Sequence, residues 1–189
     1  EDDTIEGKPE KMQANPQLKL SAIIHATGSK LSHSELIKDR AILFHWGLDG
    51  VERNIVKAIG LYRKAADMGN IAAASNLCEI LSDNQDGQAD YAEAVQWCLN
   101  AAQKGSSKAQ ARIGHLYTFG KGVDADLEEA EEWYRKATDT APASRQNFLL
   151  DFHADLGRLV NDSSLPAKTR QEALEKGMKL FQEIRSEKR

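Results

Sequence analysis

Ala58-Ile59-Gly60-Leu61-Tyr62-Arg63-Lys64-Ala65-Ala66 recurs 36 residues later as Ala94-Val95-Gln96-Trp97-Cys98-Leu99-Asn100-Ala101-Ala102. After the same interval it returns as Ala130-Glu131-Glu132-Trp133-Tyr134-Arg135-Lys136-Ala137-Thr138. The blocks align without a gap, and Gly69, Gly105 and Ala141 close them in one register. A fixed period of this size marks stacked supersecondary units, none of which can bury its apolar face alone. Such arrays usually present surfaces to partners and seldom enclose a catalytic cleft.

The unit is clearest between 105 and 141. Gly105-Ser106-Ser107-Lys108 offers a serine to cap a helix on which Ala109, Ile113, Leu116 and Tyr117 form one apolar face. Gly120-Lys121-Gly122-Val123 breaks that helix, because glycine tolerates the left-handed backbone of a tight stop. A second helix follows, with Ala130, Trp133, Tyr134 and Ala137 inward. Gly114 and Ala130 are small where the two helices come close. Asn54, Asp90 and Asp126 share one register as caps of the second helices. The spacing therefore predicts an all-α protein of antiparallel helical hairpins.

The outer segments drift from the pattern, as terminal caps do. Ser32 and Glu35 make a capping box for a helix to about Trp46. Pro16 opens an earlier helix over roughly 16–28, and Pro142 and Pro166 open two later ones. The last of these carries Leu174, Met178, Phe181 and Ile184. The expected organisation is a flexible acidic leader (1–15) and one solenoid domain (16–189). Its repeats cover about 33–69, 70–105 and 106–141, with capping helices at 16–28 and 142–187.

The 189 residues carry a net charge of −4, which argues against nucleic acid as a partner. The longest apolar runs, such as Ala22-Ile23-Ile24, are far too short to span a membrane. The chain begins at Glu1 rather than Met, followed by a polar stretch with Pro9. A cleaved leader or a trimmed chain would both look like this, and periplasmic or other extracytoplasmic residence is the favoured expectation.

Two cysteines are too few for a disulfide scaffold. Cys78 lies eight residues before the turn near Asp86 and Cys98 twelve after it. Across antiparallel helices that mismatch is about one turn, or about 6 Å. A bridge is therefore disfavoured, and both are read as small buried apolar residues.

Ile113-Gly114-His115-Leu116-Tyr117-Thr118-Phe119-Gly120-Lys121-Gly122-Val123, followed by Ala130 to Ala137, closely resembles the Sel-one-like repeat of the bacterial type. This family is related to the tetratricopeptide repeat. The match is fair over 36–69 and 70–104, weak over 142–160 and absent at both ends. Asp86-Gly87 departs from the usual Gly-Val, and Cys98 stands where Tyr is usual. The resemblance implies a right-handed α-solenoid that binds proteins. Members include assembly and signalling adaptors, extracytoplasmic interaction proteins, and immunity proteins that neutralise secreted toxins. Some carry a cysteine pair in each repeat, at positions that Cys78 and Cys98 do not occupy.

No catalytic constellation stands out. His25, His33, His45, His115 and His153 lack the i, i+4 spacing of a zinc pair, so no metal or other cofactor is expected. His45 reads as a core or edge histidine, while His115 faces the exposed side as a contact or a solvated ring. Gly120-Lys121-Gly122 lacks the spacing of a phosphate loop. Trp97 and Trp133 read as packing. Asn161-Asp162-Ser163 fits a glycosylation acceptor, a tripeptide common by chance.

First helices line the concave side of such a solenoid, and residues one period apart form rows along it. Arg40, Asn76, Arg112 and Phe148 make the first row, and Leu43, Glu79, His115 and Asp151 the second. The third holds Gly47, Asp83, Phe119 and Asp155. Apolar anchors among polar groups suit protein binding. Phe148 is balanced between that role and packing under a cap helix, whereas Phe119 leans to the surface role. The leading expectation is a non-catalytic module that binds a partner protein through this face. One alternative is an immunity protein that neutralises a secreted hydrolase toxin. The other is an enzyme using Cys98 or His115.

Overall fold

Eight α-helices and no strand make up residues 32–83 and 87–186, the part described by the computed structural model. They are α1 (His33–Trp46), α2 (Ile55–Asp67), α3 (Ile71–Ser82), α4 (Tyr91–Gln103), α5 (Ser107–Phe119), α6 (Leu127–Thr140), α7 (Arg145–Asn161) and α8 (Ala167–Ser186). Consecutive pairs pack as hairpins, and each hairpin stacks on the next. The expected leader and the 16–28 helix lie outside the described residues, as does Asp86.

Side-chain caps set where the helices start. Ser32 and Glu35 form the full capping box of α1. Asn54, Asp90 and Asp126 each accept backbone N–H groups in the first turns of α2, α4 and α6. Asn70 and Ser106 do the same for α3 and α5. These bonds satisfy N–H groups that have no partner within the helix. Pro142 is an exception to the expected helix start. It opens a short 3-10 turn, Pro142–Ser144, and α7 begins only at Arg145.

The α5–α6 turn needs Gly122 for two reasons. Its φ is +73°, and a Cβ there would press on the Tyr91 carbonyl of the preceding unit. Gly122→Ala is therefore expected to cost about 2 kcal/mol or more, checked by urea unfolding.

Two apolar clusters form the core. One runs from Ile37 to Leu116 through the first hairpins. The other joins Leu127, Ala130 and Tyr134 to Leu149, Phe152, Leu156 and the inner face of α8. Tyr117 packs against both. Trp97 and Trp133 are half-buried at the edge of the first, and Trp97 Nε1 donates to Glu93 at 3.0 Å. His45 is likewise a half-buried edge residue, its Nδ1 3.4 Å from the Tyr62 hydroxyl. On α8 only Ala173, Leu180 and Ile184 turn fully inward, while the expected Leu174, Met178 and Phe181 remain exposed.

Cys78 and Cys98 form a disulfide, against the expectation of two unbridged cysteines. Their Cα atoms are 4.7 Å apart, and both residues are buried. Counting outward from the loop midpoint failed because helices of a hairpin meet at a point of closest approach, which need not lie level with that midpoint. The next unit marks this point. Gly114 and Tyr134 stand one period after Cys78 and Cys98. A Cβ on Gly114 would lie 2.8 Å from the Tyr134 ring.

Ion pairs fasten α8 to the array. Arg135 binds Glu131 and Glu183, Arg145 also reaches Glu183, and Lys176 reaches Glu131. Hydrogen bonding from Arg135 holds the Glu183 carboxyl below its ordinary range. Burial opposes the same shift at Glu131, but bonds from Arg135 and Lys176 outweigh it. A carboxyl depressed in the folded state stabilises it above the unfolded pKa, and that contribution is lost as pH falls through the folded value. Melting temperature is therefore expected to drop on acidification below the ordinary glutamate pKa. Glu183→Gln should be less stable at neutral pH and show a smaller drop, as read by circular dichroism melts.

Candidate functional site

The first helices contact in series, α3 with α5 and α5 with α7, and no comparable contact joins α2, α4, α6 and α8 to each other among the described residues. The first helices therefore form the inner wall of the stack. Two adjoining cavities open there, of about 190 and about 270 Å3, and Arg112 and Asp151 line both. The smaller also has Ser75, Cys78, Glu79, Lys108 and Phe148. His115, Tyr134, Asp155 and Arg158 help to line the larger. Six of the expected row residues, Glu79, Arg112, His115, Phe148, Asp151 and Asp155, thus line one groove.

Asp155 organises its floor. Expected on an exposed row, it is only 3% exposed. Its Oδ2 accepts from His115 Nδ1 at 2.7 Å and from the Tyr134 hydroxyl at 2.8 Å. Its Oδ1 accepts from Arg158 at 2.8 Å. An ionised carboxylate only accepts, so His115 carries its proton on Nδ1. His115, expected on the exposed side, is half-buried and held by this bond. Burial, reinforced by the Asp155 charge, pushes the Tyr134 phenol far above its usual range. The Tyr134 ring stacks on Phe152 with centroids 4.8 Å apart.

The other expected residues are placed differently. Phe119 is half-buried against the second core, its ring 4.8 Å from the His115 imidazole. Phe148 also leans on that core while walling the smaller cavity. Asn76 is half-buried near Tyr62, whose phenol burial pushes up to about 12. Arg40 and Leu43 lie on α1, outside both cavities, and Arg40 Nε is buried without a hydrogen-bond partner.

Asp151 is the electrostatically loaded member. It is exposed at the groove mouth, yet its carboxyl pKa is raised by partial desolvation and further by the neighbouring Asp155 charge, with Arg112 and Arg158 opposing. The side chains of Glu79, Lys108, Arg112 and Asp151 make no hydrogen bond or contact ion pair among the described residues. Sequence reasoning missed Tyr134 and Lys108 as groove residues. The period placed Tyr134 in the core, and Lys108 stood in the helix start. No group of His, Cys, Asp or Glu suited to a metal ion occurs among the described residues. The Cys98 thiol needed for nucleophilic catalysis is consumed in the disulfide.

The Sel1 repeat model matches residues 40–70, 71–106 and 107–139, and the chain belongs to the Sel1 repeat family. Chitin synthase regulator SKT5 of Saccharomyces cerevisiae is 32% identical over 124 residues, 65% of this chain and 18% of its own length. The Sel1-repeat-containing protein YjcO of Escherichia coli is 30% identical over 118 residues, 60% of this chain and 50% of its own length. The chain thus spans half or less of these curated relatives. A Sel1 repeat protein from Oxalobacter formigenes superposes with a TM-score of 0.54 at 25% identity, covering 69% of this chain and 95% of that one. A protective antigen of uropathogenic Escherichia coli displaying an SLR fold gives 0.57 at 23%, covering 90% of this chain and 40% of that one. The fold is the right-handed solenoid of this family, whose repeats generally serve as protein–protein interaction modules. No described helix is long and apolar enough to cross a membrane.

Proposed function

We propose that the chain is a non-catalytic interaction module that binds a partner protein along the inner groove between α3, α5 and α7. The carrying observation is the set of four charged side chains, Glu79, Lys108, Arg112 and Asp151, left without partners around Phe148. Charged groups in a crevice with one aromatic wall suit a polar interface with a central anchor. The buried disulfide supports residence in an oxidising, extracytoplasmic compartment.

Affinity capture from the source organism tests the reading, with a charge-swapped Arg112→Glu, Asp151→Arg variant as control. The expected result is one stoichiometric protein that the folded variant no longer holds. The identity of that protein separates an adaptor from a toxin-neutralising protein. Equal capture by the variant would move the site off this groove.

A further inference from the structure

We infer that the partner element seated in the groove is an extended peptide segment, held by its main chain between Arg112 and Asp151, with an apolar side chain against Phe148. This rests on the interaction reading above and narrows it.

Charge balance comes first. Lys108 and Arg112 on α5 are offset by Glu79 on α3 and Asp151 on α7. A strongly acidic or basic ligand would meet as much repulsion as attraction. A peptide unit carries no net charge, and in its planar trans form C=O and N–H point in opposite directions. It therefore asks for a donor on one side and an acceptor on the other. Arg112 has only donors, and ionised Asp151 only acceptors. The two stand on neighbouring helices and line both cavities.

The other carboxylate on α7 is already engaged. Both oxygens of Asp155 are taken by His115, Tyr134 and Arg158. That leaves Asp151, exposed at the mouth of the groove and without a hydrogen-bond partner among the described residues, as the open α7 acceptor for a peptide N–H. A helical partner offers no such groups, since its interior amides bond within the helix. An extended segment offers all of them. Phe148 walls the cavity of about 190 Å3 and supplies apolar contact for one side chain.

The test uses the full 189-residue chain. A phage-displayed random dodecapeptide library is selected on it, and enriched peptides are synthesised with single backbone N-methyl groups. Each N-methyl removes one N–H without changing charge. Affinities are read by fluorescence anisotropy on the parent, Asp151→Leu and Arg112→Met proteins.

One N-methyl position should weaken binding to the parent at least about tenfold and to Asp151→Leu, which has no acceptor, at most about twofold. Arg112→Met should weaken the unmethylated peptide to a similar degree. Asp151→Glu and Asp151→Asn, which each keep an acceptor oxygen, should retain N-methyl sensitivity, so the test survives if the Leu variant folds poorly. The inference is overturned if no position couples to Asp151, if enriched peptides bind better when stapled as helices, or if no groove-dependent peptide is enriched. A groove-dependent protein captured alongside that failure would leave the interaction reading standing.

Discussion

Reduction of the Cys78–Cys98 bond should lower the melting temperature by roughly 10 °C, equivalent to about 3 kcal/mol. The two cysteines are 20 residues apart in sequence, and removing the cross-link frees that loop in the unfolded chain. Because the bond lies inside the middle hairpin, its loss is felt beyond that unit. α3 and α4 pack on each other and on the hairpins to either side, and repeat stability is shared through such interfaces. Melts with and without a phosphine reductant, and of a Cys78→Ser, Cys98→Ser protein, measure the effect. Coincident melts of oxidised and reduced protein would show that the bond contributes nothing to the folded array.

Gly114→Val should be at least as damaging, at about 3 kcal/mol or more. A Cβ at this position falls 2.8 and 2.9 Å from two carbons of the Tyr134 ring and 3.1 Å from the Ala130 carbonyl oxygen. Tyr134 cannot move away cheaply. It is 2% exposed, its ring is stacked on Phe152, and its hydroxyl is bound to Asp155. Displacing it would also disturb the groove floor. Gly157→Ala is the matched control, since a Cβ there meets nothing within 4 Å and alanine suits a helix interior. Urea midpoints should fall sharply for the first and hold or rise for the second. An unchanged midpoint for Gly114→Val would refute the packing of α5 against α6.

Much of this architecture was legible because the repeat carries its own punctuation. Asn54, Asp90 and Asp126 recur at 36-residue intervals and each caps a helix. Gly114 is small where the helices touch, as its sequence context implied. The disulfide was present in the same signal. Mapping Cys78 onto Gly114 and Cys98 onto Tyr134 places both at the point of closest approach. Counting residues from the loop midpoint hid this.

The groove was most legible where the period holds, although Phe148 and Asp151, from the weakly matched stretch, also line it. Glu79, Arg112 and His115 come from well-matched units and lie on the inner wall. Asp155 was misplaced because the chain after residue 141 departs from the repeat. A 3-10 turn delays α7, and α7 is 17 residues long where α5 has 13. The longer helix packs against α8 through a core that includes Leu156, while Asp155 is buried against α5 and α6. Nothing in the local pattern announces that Asp155 meets His115 and Tyr134. That meeting depends on three helices from two units.

The most direct test of the account is site-specific photocrosslinking in cells of the source organism. A benzophenone amino acid is placed at Glu79 on the inner wall or at Gln96 or Glu132 on the second helices, all three exposed. The account predicts a partner adduct from position 79 and none from 96 or 132. Adducts from 96 or 132 with none from 79 would put the binding surface on the outer helices and contradict it.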